Sequence, residues 1–200
     1  MSKRGEAPQV SAGSMADIAF LLLIFFLVTT SIETDVGLER RLARIEEDPV
    51  VVDIKEKNIL PILIDENGSL LVEGEIIELK DLRAITIAFL DNGGLVSTCS
   101  YCKGARDEKS SDNPTKAVVS LMSNRETTYG AYVAVQNELV GAYNDLRDRE
   151  AQKLFKTDFT SMETLYKDPQ TSLEMKDVLK TNIRRVQDLY PMNLLEAERN

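Results

Sequence analysis

Ala16-Asp17-Ile18-Ala19-Phe20-Leu21-Leu22-Leu23-Ile24-Phe25-Phe26-Leu27-Val28-Thr29-Thr30-Ser31 decides the architecture of this chain. Residues 18–28 are apolar on every side, as a lipid-facing or fully buried helix must be, whereas a helix lying on a soluble core shows a polar face. Extended to residues 15–34, the stretch makes a helix of ~30 Å, about the thickness of a bilayer's hydrocarbon core. A secretory signal peptide is the competing reading, with Lys3 and Arg4 as its basic start. Against it stand the long tail, the early aspartate and the lack of a small-x-small cleavage site at Val28-Thr29-Thr30-Ser31. Basic residues do not orient the span: Lys3 and Arg4 precede it, and Arg40, Arg41 and Arg44 follow.

Asp17 is the one formal charge from Met15 to Ile32. Two readings are open. It is an interfacial cap or first-turn acid, favoured by the helix dipole. Or it is a carboxyl facing a protein-lined cavity, taking up and releasing a proton, since an acid inside a membrane is costly to keep without a use. Leu21, Ile24, Val28 and Ser31 share its helix face and form the candidate pore-lining or partner-facing stripe.

The rest of the chain reads as a water-soluble acidic domain. Of the 200 residues 28% are charged and the net charge is −9, which argues against nucleic acid as a partner. The sequence has no histidine, so the commonest general base and metal ligand is missing. No phosphate-binding loop, nucleophile elbow or metal-ligand spacing occurs, and the chain is expected to be neither an enzyme nor a holder of a cofactor or metal.

Residues 1–14 read as a tail and 35–55 as a linker, with Leu38, Leu42 and Ile45 at helical spacing, a proline stop at Pro49 and a possible short strand at 50–54. Within 56–200, two strands at 59–65 and 70–77 flank Asn67-Gly68, which predicts a hairpin with a primed turn. Pro61 predicts an edge strand or a bulge. Leu79, Leu82, Ile85 and Phe89 predict a helix, 116–122 a buried strand, and Tyr129 to Leu146 a longer helix. Met175, Leu179, Ile183, Val186 and Tyr190 predict another helix, stopped by Pro191, with a last strand at 192–195. The order β-β-α-β-α-α-β is that of a small α+β layer with helices on one face.

Two segments stand outside this compact pattern. Residues 91–114, rich in Gly, Ser, Asp and Lys, read as a loop insertion. They hold Cys99-Ser-Tyr-Cys102, a pair open to three readings: a local disulfide, two free thiols, or a redox site. Residues 147–174 read as a helical extension whose charges, from Arg147 to Lys153, form a solvated face or a contact surface.

The stretch from Val10 to Thr30, with its aspartate near the start of a single apolar helix, resembles the anchor of the ExbD/TolR family, in its Bacteroidetes-type variant. The order of elements in the soluble domain is similar to that family's as well. The resemblance implies a bacterial inner-membrane protein with its amino terminus in the cytoplasm, one transmembrane helix and a periplasmic α+β domain. It implies that Asp17 carries protons, that two copies sit inside a ring of an ExbB-like polytopic protein, and that the soluble domain meets a TonB-like partner. The expected function is to couple the proton-motive force to TonB-dependent outer-membrane transport; a TolR-like or motility-linked motor subunit and a passive anchored adaptor are the alternatives. The family's docking linker contains a proline that does not follow Leu38 here. Its aspartate after the third strand is replaced by Ser123-Asn124, where asparagine can fill a turn or capping role.

Overall fold

The computed structural model describes residues 12–29, 54–95 and 97–199, and gives no side chains for 27–29 or 198–199. It divides into two units, Met1–Val50 and Val51–Asn200.

In the first unit, α1 runs Ala12–Thr29. Every residue whose side chain is described, from 12 to 26, is exposed. At ~1.5 Å per residue the helix is about 27 Å long. Among the described residues no helix is long and apolar enough to cross a membrane. The helix starts three residues before the expected span of 15–34, whose residues 30–34 lie outside the described ones, as do the tail to 11, the linker with Leu38, Leu42, Ile45 and Pro49, and all but the last residue of the short strand expected at 50–54.

The second unit holds a five-stranded sheet in the order β3-β2-β1-β4-β5. β1 is Ile59–Ile64, β2 Leu70–Val72, β3 Glu75–Ile77, β4 Val118–Asn124 and β5 Leu194–Arg199. The first three form an antiparallel meander, while β1/β4 and β4/β5 are parallel. Between them lie α2 (Leu79–Leu90), α3 (Tyr129–Phe155), α4 (Phe159–Lys167) and α5 (Leu173–Leu189). The mixed α+β layer agrees with the expectation, with one more strand and one more helix. β1 alternates, with Leu60, Ile62 and Ile64 buried; together with Leu121 they pack with Leu82, Phe89, Leu139 and Tyr143 of α2 and α3. The other face is only half covered, and Ile76 on it is 77% exposed.

The extra strand comes from Glu73-Gly74. Both have positive φ, 52° and 88°, and break the expected 70–77 strand into β2 and β3 with Val72 opposite Glu75. This, and not Asn67-Gly68, is the two-residue turn with the primed hand, which needs φ > 0 at both central positions. At the first hairpin only Gly68 has positive φ. There Asp65 accepts Gly68 N–H on its backbone carbonyl, and the N–H groups of Asn67 and Ser69 on its side chain. The hairpin stands, but its turn is a longer loop organised by Asp65.

Pro61 corrects a second expectation. It lies in the central strand, paired with Ser120 of β4. Its carbonyl accepts from Glu73 N–H on the β2 side. In a strand a residue's N and O point the same way, so the missing donor faces the place where β2 has already turned away. The strand is central while that one position behaves as an edge.

Candidate functional site

Asp17 is the first candidate. α1 begins at Ala12, and its first turn holds no acidic residue. Asp17 is thus the sixth residue of the helix, beyond the reach of an N-cap and past the turn where the dipole favours an acid. The capping reading fails on that count. Leu21 and Ile24 follow Asp17 at helical spacing, both exposed, at 59% and 41%. Val28 continues the stripe in backbone position with its side chain not described, and Ser31 lies outside the described residues. The helix therefore presents one carboxylate on an apolar cylinder, with none of its described side chains buried.

The insertion 91–114 is the second. Sequence composition reads it as loop; the structure fills it with buried polar side chains, of which Asn92 and Ser111 are spent on backbone. Asn92 is 2% exposed. It donates to the carbonyls of Asp107 and Ser111, both at 2.8 Å, and accepts from Asp107 N–H at 2.9 Å. Ser111 Oγ donates to Phe89 O. Cys99 and Cys102 are joined, with Sγ atoms 2.00 Å apart. Both are buried, at 1% and 5%, which keeps a redox partner from reaching them. Gly93, with φ +65°, runs so close that a Cβ there would stand 2.8 Å from Cys102 Cβ.

Two charged clusters tie this insertion to the domain. At one end, Asp112 meets Lys57 Nζ at 2.5 Å and Lys55 Nζ at 3.9 Å. Asn58 reads it twice: its Nδ2 donates to Asp112 Oδ2 at 3.3 Å, and Asp112 N–H donates to Asn58 Oδ1 at 2.7 Å. Lys57, helped by Asn58, holds the Asp112 carboxyl below the usual carboxylate range although burial opposes it. At the other end, Asp91 caps α2. Burial pushes its carboxyl up, but hydrogen bonds from Arg149 and Tyr190 outweigh that and hold it low. Tyr190 Oη donates to Asp91 Oδ1 at 2.6 Å, and burial followed by that carboxylate pushes the phenol up.

The extension 147–174 is not the solvated face expected. Arg147 and Glu150 are buried, at 6% and 2%. Arg147 donates from Nε and Nη2 to Tyr190 O at 3.0 and 2.8 Å and lies over the rings of Tyr143 and Phe159. Phe159 belongs to a second core, with Ala151, Met162, Leu179, Ile183 and Val186. The signal was available: Arg147 follows Leu139 and Tyr143 at steps of four, which already puts it on the buried face of α3. At the start of α3, Asn124 opens the turn by accepting Thr127 N–H, but the cap is Thr128, whose Oγ1 accepts Ala131 N–H.

Nothing in this set assembles a nucleophile with a base, and among the described residues no cluster of three or more His, Cys, Asp or Glu side chains could hold a metal ion. Comparison with curated proteins finds no match. The family described as biopolymer transport protein ExbD/TolR matches residues 3–146, which runs from the tail through α1 and the sheet's first four strands and stops just before Arg147. With nearly three quarters of its length matched, the chain belongs to the ExbD/TolR family of biopolymer transport proteins.

Proposed function

We propose that the chain is the proton-motive-force-coupling subunit of an ExbB–ExbD type inner-membrane motor, energising TonB-dependent outer-membrane transport, with Asp17 as its proton-carrying residue. Membership in a family of transport-associated subunits supports the class. The observation that carries the reading is the position of Asp17: an acid in the second turn of an apolar helix, where no capping role remains for it. An exposed apolar helix of this kind needs lipid or protein around it. A lone helix offers no second surface to shelter a carboxylate, so a ring of an ExbB-like polytopic partner around two copies supplies the cavity. The amino terminus is then cytoplasmic and residues 56–200 periplasmic.

The mechanism follows from charge. Protonation removes the charge on Asp17 and with it the barrier to passing an apolar ring surface. A proton crossing the membrane releases ~2.3 kcal/mol per 100 mV. Alternating charge on the two copies drives stepwise movement, and the linker passes it to the soluble domain, which engages a TonB-like partner.

Asp17→Asn keeps the size and polarity of the side chain and removes its proton chemistry. Expressed at the normal level, the variant is expected to lose energy-dependent import. Full import with Asp17→Asn would favour a passive adaptor, in which an unrelated transmembrane helix could replace α1 without effect.

A further inference from the structure

Residues 54–58 are the first described residues of the second unit, and they lead straight into β1, the central strand of the sheet. Any pull on the chain from its amino-terminal side enters there. The segment is short and irregular: one turn of 3-10 helix, Glu56–Asn58, with Asn58 N–H on Lys55 O. Unsupported, such a segment would peel away from the domain one bond at a time. We propose that the insertion 91–114 is a clamp on this entry point, and that Asp112 is the residue that closes it.

The geometry supports this at each step. Asp112 is 1% exposed and is met by three residues of the entry segment: the ammonium groups of Lys55 and Lys57 and both polar atoms of the Asn58 amide. Lys57 Nζ also donates to Glu108 O at 3.0 Å, so the same side chain grips the insertion in two places. The clamp is in turn anchored. Gly94 N–H donates to Ser111 O and Leu95 N–H to Asp112 O. Asn92 holds Ser111 and Asp107, Ser111 holds the carbonyl of Phe89 in α2, and Cys99–Cys102 closes the turn between them. From Asp91 the path continues through Arg149 into α3 and through Tyr190 into the end of α5.

The mechanical consequence is a change in how β1 is loaded. With residues 55–58 held, a pull cannot strip the entry segment first. It acts along β1, whose ladder to β4 covers six residue pairs from Ile59 to Ile64. Those bonds then share the load together instead of opening in turn. The ion pair of Lys57 with the buried Asp112 suits the task, because at a buried site the attraction is little screened by salt. The use of the clamp to carry load rests on the motor reading above; the existence of the clamp does not.

Hydrogen exchange on the full-length protein in lipid nanodiscs tests it, comparing wild type with Asp112→Asn and Lys57→Gln. Each variant is expected to speed exchange at the amides of Asn58 and Asp112 about tenfold more than at Ile62 to Ile64, which follow the stability of the whole sheet. In cells, both are expected to lower energy-dependent import with the membrane complex still assembled. Unchanged exchange at 55–58 in both variants overturns the clamp, as does a uniform rise across the sheet, which marks Asp112 as a general stabiliser. Local loosening with full import overturns the load-bearing use. Lys57→Gln covers the case in which Asp112→Asn does not fold, since Lys57 is 27% exposed and its loss leaves Lys55 and Asn58 on the acid. A silent Asp17→Asn would sink the motor reading and leave the exchange result untouched.

Discussion

Arg149 grips Asp91 with both arms of its guanidinium, Nη1 to Oδ2 at 2.7 Å and Nη2 to Oδ1 at 2.8 Å. Nη2 reaches Tyr190 Oη at 2.7 Å as well. The pair joins the end of α2, inside the stretch matched by the family, to the distal half of α3, outside it. Breaking a buried pair by truncating one partner costs ~3–5 kcal/mol. Arg149 keeps 26% exposure, so Arg149→Ala is expected near the lower end, about 3 kcal/mol. Arg149→Lys should recover little of it, because an ammonium cannot make the bidentate contact. Urea unfolding of the full-length protein in detergent checks both.

Acid stability reports on Asp112 and Asp91. Both carboxyls are held below their ordinary value in the folded state. A depressed folded pKa contributes stability that is complete above the unfolded value, ~3.9, and is lost as pH falls through the folded one. The wild type is expected to be flat from pH 7 to about 5 and to lose stability below about 4. Asp112→Asn should be less stable at pH 7 and show a shallower loss in acid. A variant that keeps the full acid slope would contradict the assignment.

Tyr143 points the other way. It is 1% exposed, and among the described residues its hydroxyl, close to the backbone of Asn193, has no hydrogen-bond partner in good geometry. A buried polar group without a partner costs ~1–3 kcal/mol, and removing it can be neutral or stabilising. Tyr143→Phe is expected to leave stability unchanged or raise it by about 1 kcal/mol. A clear loss in thermal melting would show that the hydroxyl has a partner.

The disulfide closes a very short loop. In the chain-entropy account a four-residue ring stabilises by about 2 kcal/mol. Cys99→Ser with Cys102→Ser should lower stability by about that much, with exchange rising first at 91–114. Because both sulfurs are buried, mild reductant should act on the native protein slowly, at the rate of local opening.

The strand and helix pattern was legible wherever one face is apolar. β1, α2, the body of α3 and α5 all follow from period-two or helical spacing. What the pattern missed has physical causes. Glu73 carries a positive φ that glutamate rarely adopts, so the second hairpin had no residue signal beyond Gly74. Pro61 is tolerated because of where β2 ends, which is a tertiary fact. The insertion reads as loop because its organisers, Asn92, Ser111 and Asp112, are polar, and only their contacts reveal that they are interior. Arg147 was masked by its charge although its spacing placed it inward. Asp17 stood out from the start as an acid in an apolar run; its place in the second turn required the helix start at Ala12.

The central claim is that Asp17 carries protons. The most direct measurement is proton uptake into vesicles that hold the full-length chain with its ring partner, followed with a pH-sensitive dye under an imposed potential. The account predicts uptake with the wild type, a fall to the level of empty vesicles with Asp17→Asn, and recovery with Asp17→Glu. Equal uptake by wild type and Asp17→Asn would contradict it.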